Sequence, residues 1–175
     1  MDYFLLKQDE RYTNTPMLMD VFKNIDVRNI NLLNAHKIEE MIIFNVKCDE
    51  ETKFLDMLDR NLFLISEDMK KIMEKYNPQI IFKSIPLIDL EHERQENYYL
   101  PIIEELDCLS ENSEFNLNRT IVKKIILDKE KIKGKKIFKI KESSKTLIVI
   151  RLDVAESLLR RNFKGICLER LELED

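Results

Sequence analysis

"NLFLISEDMKKIMEKYNPQIIFKSIPLIDL", residues 61 to 90, reads in one pass as strand, helix and strand. Leu62 to Ile65 form a short apolar run of strand type, and Ser66 follows with a hydroxyl suited to an N-cap. Glu67 and Asp68 then fall in the first helical turn, where carboxylates meet the positive end of the dipole. Met69, Ile72, Met73 and Tyr76 recur at three- and four-residue spacing, which predicts one buried helical face. Asn77-Pro78 ends the helix, because a proline disfavours helical geometry at the residue before it. The chain then resumes extended structure in "QIIFKSIPLIDL", where Pro86 predicts an edge strand or a bulge.

The same plan returns in "TLIVIRLDVAESLLRRNFKGICLERLEL", Thr146 to Leu173, roughly 85 residues later. A strand leads to Asp153, a helix places Val154, Leu158 and Leu159 inward, and Gly165 precedes an alternating strand. Duplication of one unit and the independent use of a common motif both explain the echo, and the second is the simpler reading. Working outward, "DYFLLKQ", "MIIFNVK" and "RTIVKKIILD" read as strands, and "KIFKIKESSKTLIVI" as two strands joined around Ser143 and Ser144. "DEETKFLDMLDR" opens on carboxylates and places Phe54, Leu55 and Leu58 on one side, predicting a short helix. Residues 8 to 40 have no regular period. The expected class is α+β, a mixed and largely antiparallel sheet with two or three packed amphipathic helices. One domain over residues 1–175 is expected, with 1–60 its least regular part.

The chain has 175 residues, 44% hydrophobic and 35% charged, with a net charge of −4. This is a globular composition, and the total charge predicts no general attraction to nucleic acid or anionic lipid. Its distribution is uneven. Asp89 to Glu114 holds nine acidic residues against Arg94 alone, whereas Arg119 to Lys145 holds eleven Lys or Arg against Asp128, Glu130 and Glu142. With only Gly134 and Gly165, the chain has no glycine-rich phosphate loop. Cys48, Cys108 and Cys167 are widely spaced and sit by apolar runs, as buried reduced thiols of a cytoplasmic protein do. The N-terminal "MDYFLLKQDERY" is neither a signal peptide nor a membrane span by length and charge.

Residues able to do chemistry are few. His92 in "LEHERQE" lies among Glu91, Glu93 and Glu96, but one imidazole without a spaced partner is a solvated acidic turn more readily than a zinc site. His36 beside Glu39 and Glu40 lacks a second reacting group, and Cys108 carries no nucleophile signature. The window 119–145 alternates lysine with Ile and Phe, as an RNA-reading strand surface does. Any half-buried strand with a lysine-rich face does the same, and stacking aromatics are absent, so nucleic acid is disfavoured. The acidic window with Tyr98, Tyr99 and Pro101 has the makings of a protein-docking surface. No catalytic, metal or cofactor site is expected.

The order "LFLISEDMKKIMEK", "YYLPIIEELDCLSENSEF", "IVKKIILDKEKIKGKKIFKIKES", "LIVIRLDVAESLLRRNFKGICLERLE" resembles a family of bacterial immunity proteins from polymorphic toxin systems. The corresponding residues are Ser66, Cys108-Leu109-Ser110 with Ser113, Leu127-Asp128 with Lys131, Ile137-Phe138, and Gly165 with Leu168. Residues 61–172 carry the resemblance. Ser110 stands where the family often has Asp, and Arg151 where it often has a polar cap. The resemblance implies a non-enzymatic protein that binds a cognate toxin inside the producing cell. An acidic inhibitor face against a basic partner suits fast association, which places the expected contact at Glu91, Glu93, Glu96, Glu104 and Glu105. The competing classes are an RNA-binding module using residues 119–145 and a small cytosolic enzyme using His36 or His92 with Cys108.

Overall fold

A computed structural model describes residues 1–175. The chain opens with β1 (Tyr3–Gln8) and β2 (Met17–Leu18), then a one-turn helix α1 (Val21–Asn24) and 3-10 turns at Val27–Asn29 and Ala35–Lys37. Strands β3 (Phe44–Lys47), β4 (Met57–Leu58) and β5 (Leu64–Ser66) lead into α2 (Glu67–Tyr76) and the long hairpin β6 (Ile81–Asp89) and β7 (Arg94–Ile102). Short strands β8 (Glu105–Leu106), β9 (Glu114–Phe115), β10 (Val122–Lys124) and β11 (Ile126–Asp128) follow. The chain closes with β12 (Ile137–Ile140), β13 (Ile148–Arg151), α3 (Leu152–Leu159), β14 (Ile166–Arg170) and β15 (Glu172–Glu174). The class is α+β.

Two mixed sheets carry the fold. One has six strands in the order β2-β3-β6-β7-β5-β4, the other five in the order β14-β1-β13-β12-β8. The two helices occupy the space between them. Met69, Ile72 and Met73 of α2 and Val154, Ala155 and Leu158 of α3 share one cluster with Met57 and Ile65 of the first sheet and Leu6, Ile148 and Ile150 of the second. Alternation along each strand sends the intervening residues outward into two further clusters. Phe44, Leu64, Leu87 and Leu100 pack under the segment that contains Ile25, Ala35 and Ile38, while Leu5, Phe138 and Val149 pack under Cys108, Leu109 and Leu127.

Both strand-helix-strand units form, and they share a topology. In the first, β5 and β6 each pair antiparallel with β7, which lies between them; in the second, β13 and β14 each pair antiparallel with β1. The inserted strand is the next in sequence in one unit and the N-terminal strand in the other. Ser66 Oγ accepts from the Met69 N–H at 3.4 Å, and Asn77 leaves the helix in extended geometry ahead of Pro78. Arg151 caps α3 with no side-chain hydrogen bond to the backbone and instead grips Asp153 with Nε and Nη2 at 2.9 and 2.7 Å.

Four local expectations are corrected. Pro86 is in an interior strand, between β3 and β7. The β3 ladder is interrupted there, between the Met41–Ser84 bridge and the Phe44–Leu87 pair, because proline has no N–H to donate. Residues 49–60 form no helix: Thr52 Oγ1 accepts from Asp49 N–H and donates to Asn14 Oδ1, and such side-chain bonds compete with helical ones. Leu55, Met57 and Leu58 then run inward as extended chain. The 119–128 stretch is two strands with different partners, because the Ser113 hydroxyl donates to Ile126 O and accepts from Ile126 N–H. Leu159 is exposed, Ala155 taking the inward place.

Candidate partner-binding surface

The acidic window divides into parts with opposite fates. Glu104 accepts from Lys135 Nζ at 2.7 Å with both oxygens, and Glu105 from Lys139 Nζ at 2.7 Å. These pairs exist because β8 and β12 are parallel neighbours that set Lys139 opposite Glu105. Glu91 and Glu93 lie in the turn between β6 and β7, and Glu96 is on β7; all three are exposed and none is in an ion pair. The five residues therefore form two separate groups, at opposite ends of β7.

The acidic turn is built on a buried carboxylate. Asp89 is 1% exposed and accepts from His92 N–H and Nδ1 and from Arg94 Nε and Nη2, at 2.8 to 3.2 Å. Burial pushes its pKa up, but the bonds from Arg94 and His92 outweigh this and hold the carboxyl below its usual range. Arg94 also donates to Asp49 O at 2.7 Å and lies over the Phe54 ring, which joins the 48–52 turn to the hairpin. Glu50 and Glu51 thus lie in a turn tied to the hairpin that carries Glu91 and Glu93. Sequence reading missed this partnership because its two halves lie about forty residues apart.

The residues considered for catalysis are not brought together. His36 is exposed on a 3-10 turn and His92 is held by Asp89, whereas Cys108 is fully buried in the cluster beneath the five-stranded sheet. Burial pushes the Cys108 thiol up to about 12, so it is the protonated, unreactive form at neutral pH. All three cysteines are free, with Cys48 and Cys167 half-buried. No three His, Cys, Asp or Glu side chains converge to hold a metal ion. No helix is long and apolar enough to cross a membrane.

The basic window is largely engaged within the molecule. Lys124 pairs with Glu172, Lys129 with Asp175, Lys131 with Asp107, Lys133 with Glu130, and Lys135 and Lys139 as above. Lys136 lies over Tyr76 and Arg119 over Phe115. The motif at Cys108, Leu109, Ser110 and Ser113 is likewise structural. Leu109 N–H donates to Glu142, Lys131 Nζ donates to Leu109 O, and Ser110 hydroxyl donates to Glu174. An Asp at 110 would set a second carboxylate against Glu174.

The fold and its surfaces define an α+β protein with exposed carboxylates at one end of β7 and with His36, His92 and Cys108 apart from one another. The chain belongs to the immunity protein family (Imm11), which it matches over residues 6–172. The match reaches past residues 61–172 into the N-terminal region and begins within β1. No curated protein matches the chain.

Proposed function

We propose that this protein is a non-enzymatic immunity protein that binds a cognate secreted toxin of a polymorphic toxin system and neutralises it in the cytoplasm of the producing cell. Family membership supports toxin binding. The observation that carries the reading to a surface is the division of the acidic residues: Glu104 and Glu105 are neutralised within the fold, whereas Glu91, Glu93 and Glu96 are left without partners. Unpaired exposed carboxylates accelerate encounter with a basic protein, and paired ones contribute little field.

The test is co-expression with the product of the adjacent gene, with cell survival and complex formation as readouts. Survival with this protein and death without it is the expected result. Death in both cases, with no complex of the purified pair, refutes the reading. Reversing Glu91, Glu93 and Glu96 to Lys is expected to slow association about tenfold at low salt, an effect that fades as salt screens the field. Reversing Glu104 and Glu105 acts instead on folding.

A further inference from the structure

We infer that the partner is seated on the helix-side face of the six-stranded sheet where it is left bare, at its β2 and β3 edge beside β6, with the acidic turns as one border. The inference rests on the toxin-binding reading and adds the surface and the chemistry of its occupant. Register defines the face. Leu18, Phe44, Val46, Ile85 and Leu87 point into the cluster on one side, so Met17, Met19, Met41, Ile43, Pro86 and Ile88 point to the other. Helix α2 covers that other side over β5, β7 and the Phe82 end of β6. Lys70, 5.4 and 5.0 Å from the Phe82 and Tyr99 ring centres, marks the edge of its cover.

Beyond that edge Met17, Met19, Met41 and Ile43 are 40 to 56% exposed. Together they form an apolar patch on β2 and on the segment leading into β3, tied to β6 by the Met41–Ser84 bridge, with Asn45 and Ser84 among them and the hydrogen-bonded Gln95 and Asn97 on the β7 side. Three of the four exposed residues are methionines, whose unbranched, polarisable side chains adapt to a partner surface. An apolar centre with a polar margin is the anatomy of a protein interface.

Charge selects the occupant. Strands β3 and β6 are parallel, so the turns after them lie at the same end of the face, where they present Glu50, Glu51, Glu91 and Glu93 against Lys47 and Lys53. A basic protein meets this border favourably. A second copy of this chain, joined face to face across a two-fold axis, would carry the same acidic border into the contact, which disfavours self-association.

The experiment uses as its probe the product of the adjacent gene from the co-expression test, in a variant that no longer kills cells. Met41→Lys with Ile43→Lys in one variant is expected to weaken binding about 100-fold, because both sites are at the centre of the patch. Leu159→Lys, an exposed apolar site on α3, is expected to leave affinity within about twofold. Hydrogen exchange of the wild-type protein supplies a readout independent of substitution, with slowing on complex formation expected over residues 41–47 and 84–88. Wild-type binding retained by the Lys variant, or protection confined to other segments, overturns this surface while the toxin-binding reading stands. Absence of wild-type binding overturns both. A wild-type dimer that the double substitution dissociates shows a second copy as the occupant and overturns the inference.

Discussion

A methyl group on Gly165 would sit 2.5 Å from Leu55 Cδ1 and 2.8 Å from Leu55 Cβ, on a backbone at φ +83°. Gly165→Ala therefore combines left-handed strain with overpacking, and a loss of about 2–4 kcal/mol is expected in chemical denaturation. Gly134, at φ +76° with open space around its α-carbon, carries the strain alone, and Gly134→Ala is expected to cost about 1 kcal/mol. Glu142 is a second residue whose neighbours decide its effect. Its Oε1 accepts from Leu109 N–H at 2.9 Å, its Oε2 is buried without a partner, and burial, with Asp107 beside it, pushes its pKa up. Between the unfolded and folded values the native state holds the extra proton, so this residue's contribution to stability falls as pH rises from about 4.3 through the raised folded value. Glu142→Gln is expected to raise the melting temperature at pH 8 and to leave it nearly unchanged at pH 4. Melting curves at the two pH values test this, and an equal change at both would contradict it.

At the level of elements, the two long helices achieve similar packing by different means. The cap on α2 is a hydroxyl, and Ser66→Ala is expected to cost about 0.5–1 kcal/mol given the 3.4 Å length of the bond. Helix α3 has no such cap, and its first turn depends on the grip of Arg151 on Asp153, which holds the Asp153 carboxyl below its ordinary range. Leu158 is fully buried among both helices and both sheets, whereas its neighbour Leu159 is 61% exposed. Leu158→Ala is expected to cost about 2–5 kcal/mol and Leu159→Ala less than about 0.5, a contrast that urea denaturation reads directly. Periodicity placed both leucines inward because adjacent residues on a helix differ by only 100°, and small Ala155 is what lets α3 rotate that face toward α2. The same limit explains Pro86. A proline in a strand reads as an edge signal, yet a parallel neighbour can leave one ladder position vacant without exposing the strand.

For the whole molecule, the central cluster draws on both sheets and both helices, and β1 fills the space between β13 and β14. We therefore expect one cooperative unfolding transition for residues 1–175, coincident by circular dichroism and by fluorescence of the five tyrosines. A fragment of residues 61–172 lacks β1 and is expected to be unfolded or aggregated, which protease digestion would reveal as loss of any resistant core. The sequence by itself determined the α+β class, the cap, stripe and stop of α2, the hairpin of β12 and β13, and the two strand-helix-strand units. Each is written in contiguous residues, where propensity, period and capping chemistry act. The pairing of Lys135 with Glu104 and of Lys139 with Glu105 was not legible, nor was the joining of the 48–52 turn to the acidic hairpin. Only the tertiary structure decided these, because strand order brings together segments whose sequences carry no mark of one another. The same strand order cancels much of the charge asymmetry seen along the chain. It leaves Glu50, Glu51, Glu91, Glu93 and Glu96 exposed and outside any ion pair, and these are the carboxylates on which the proposed docking face relies.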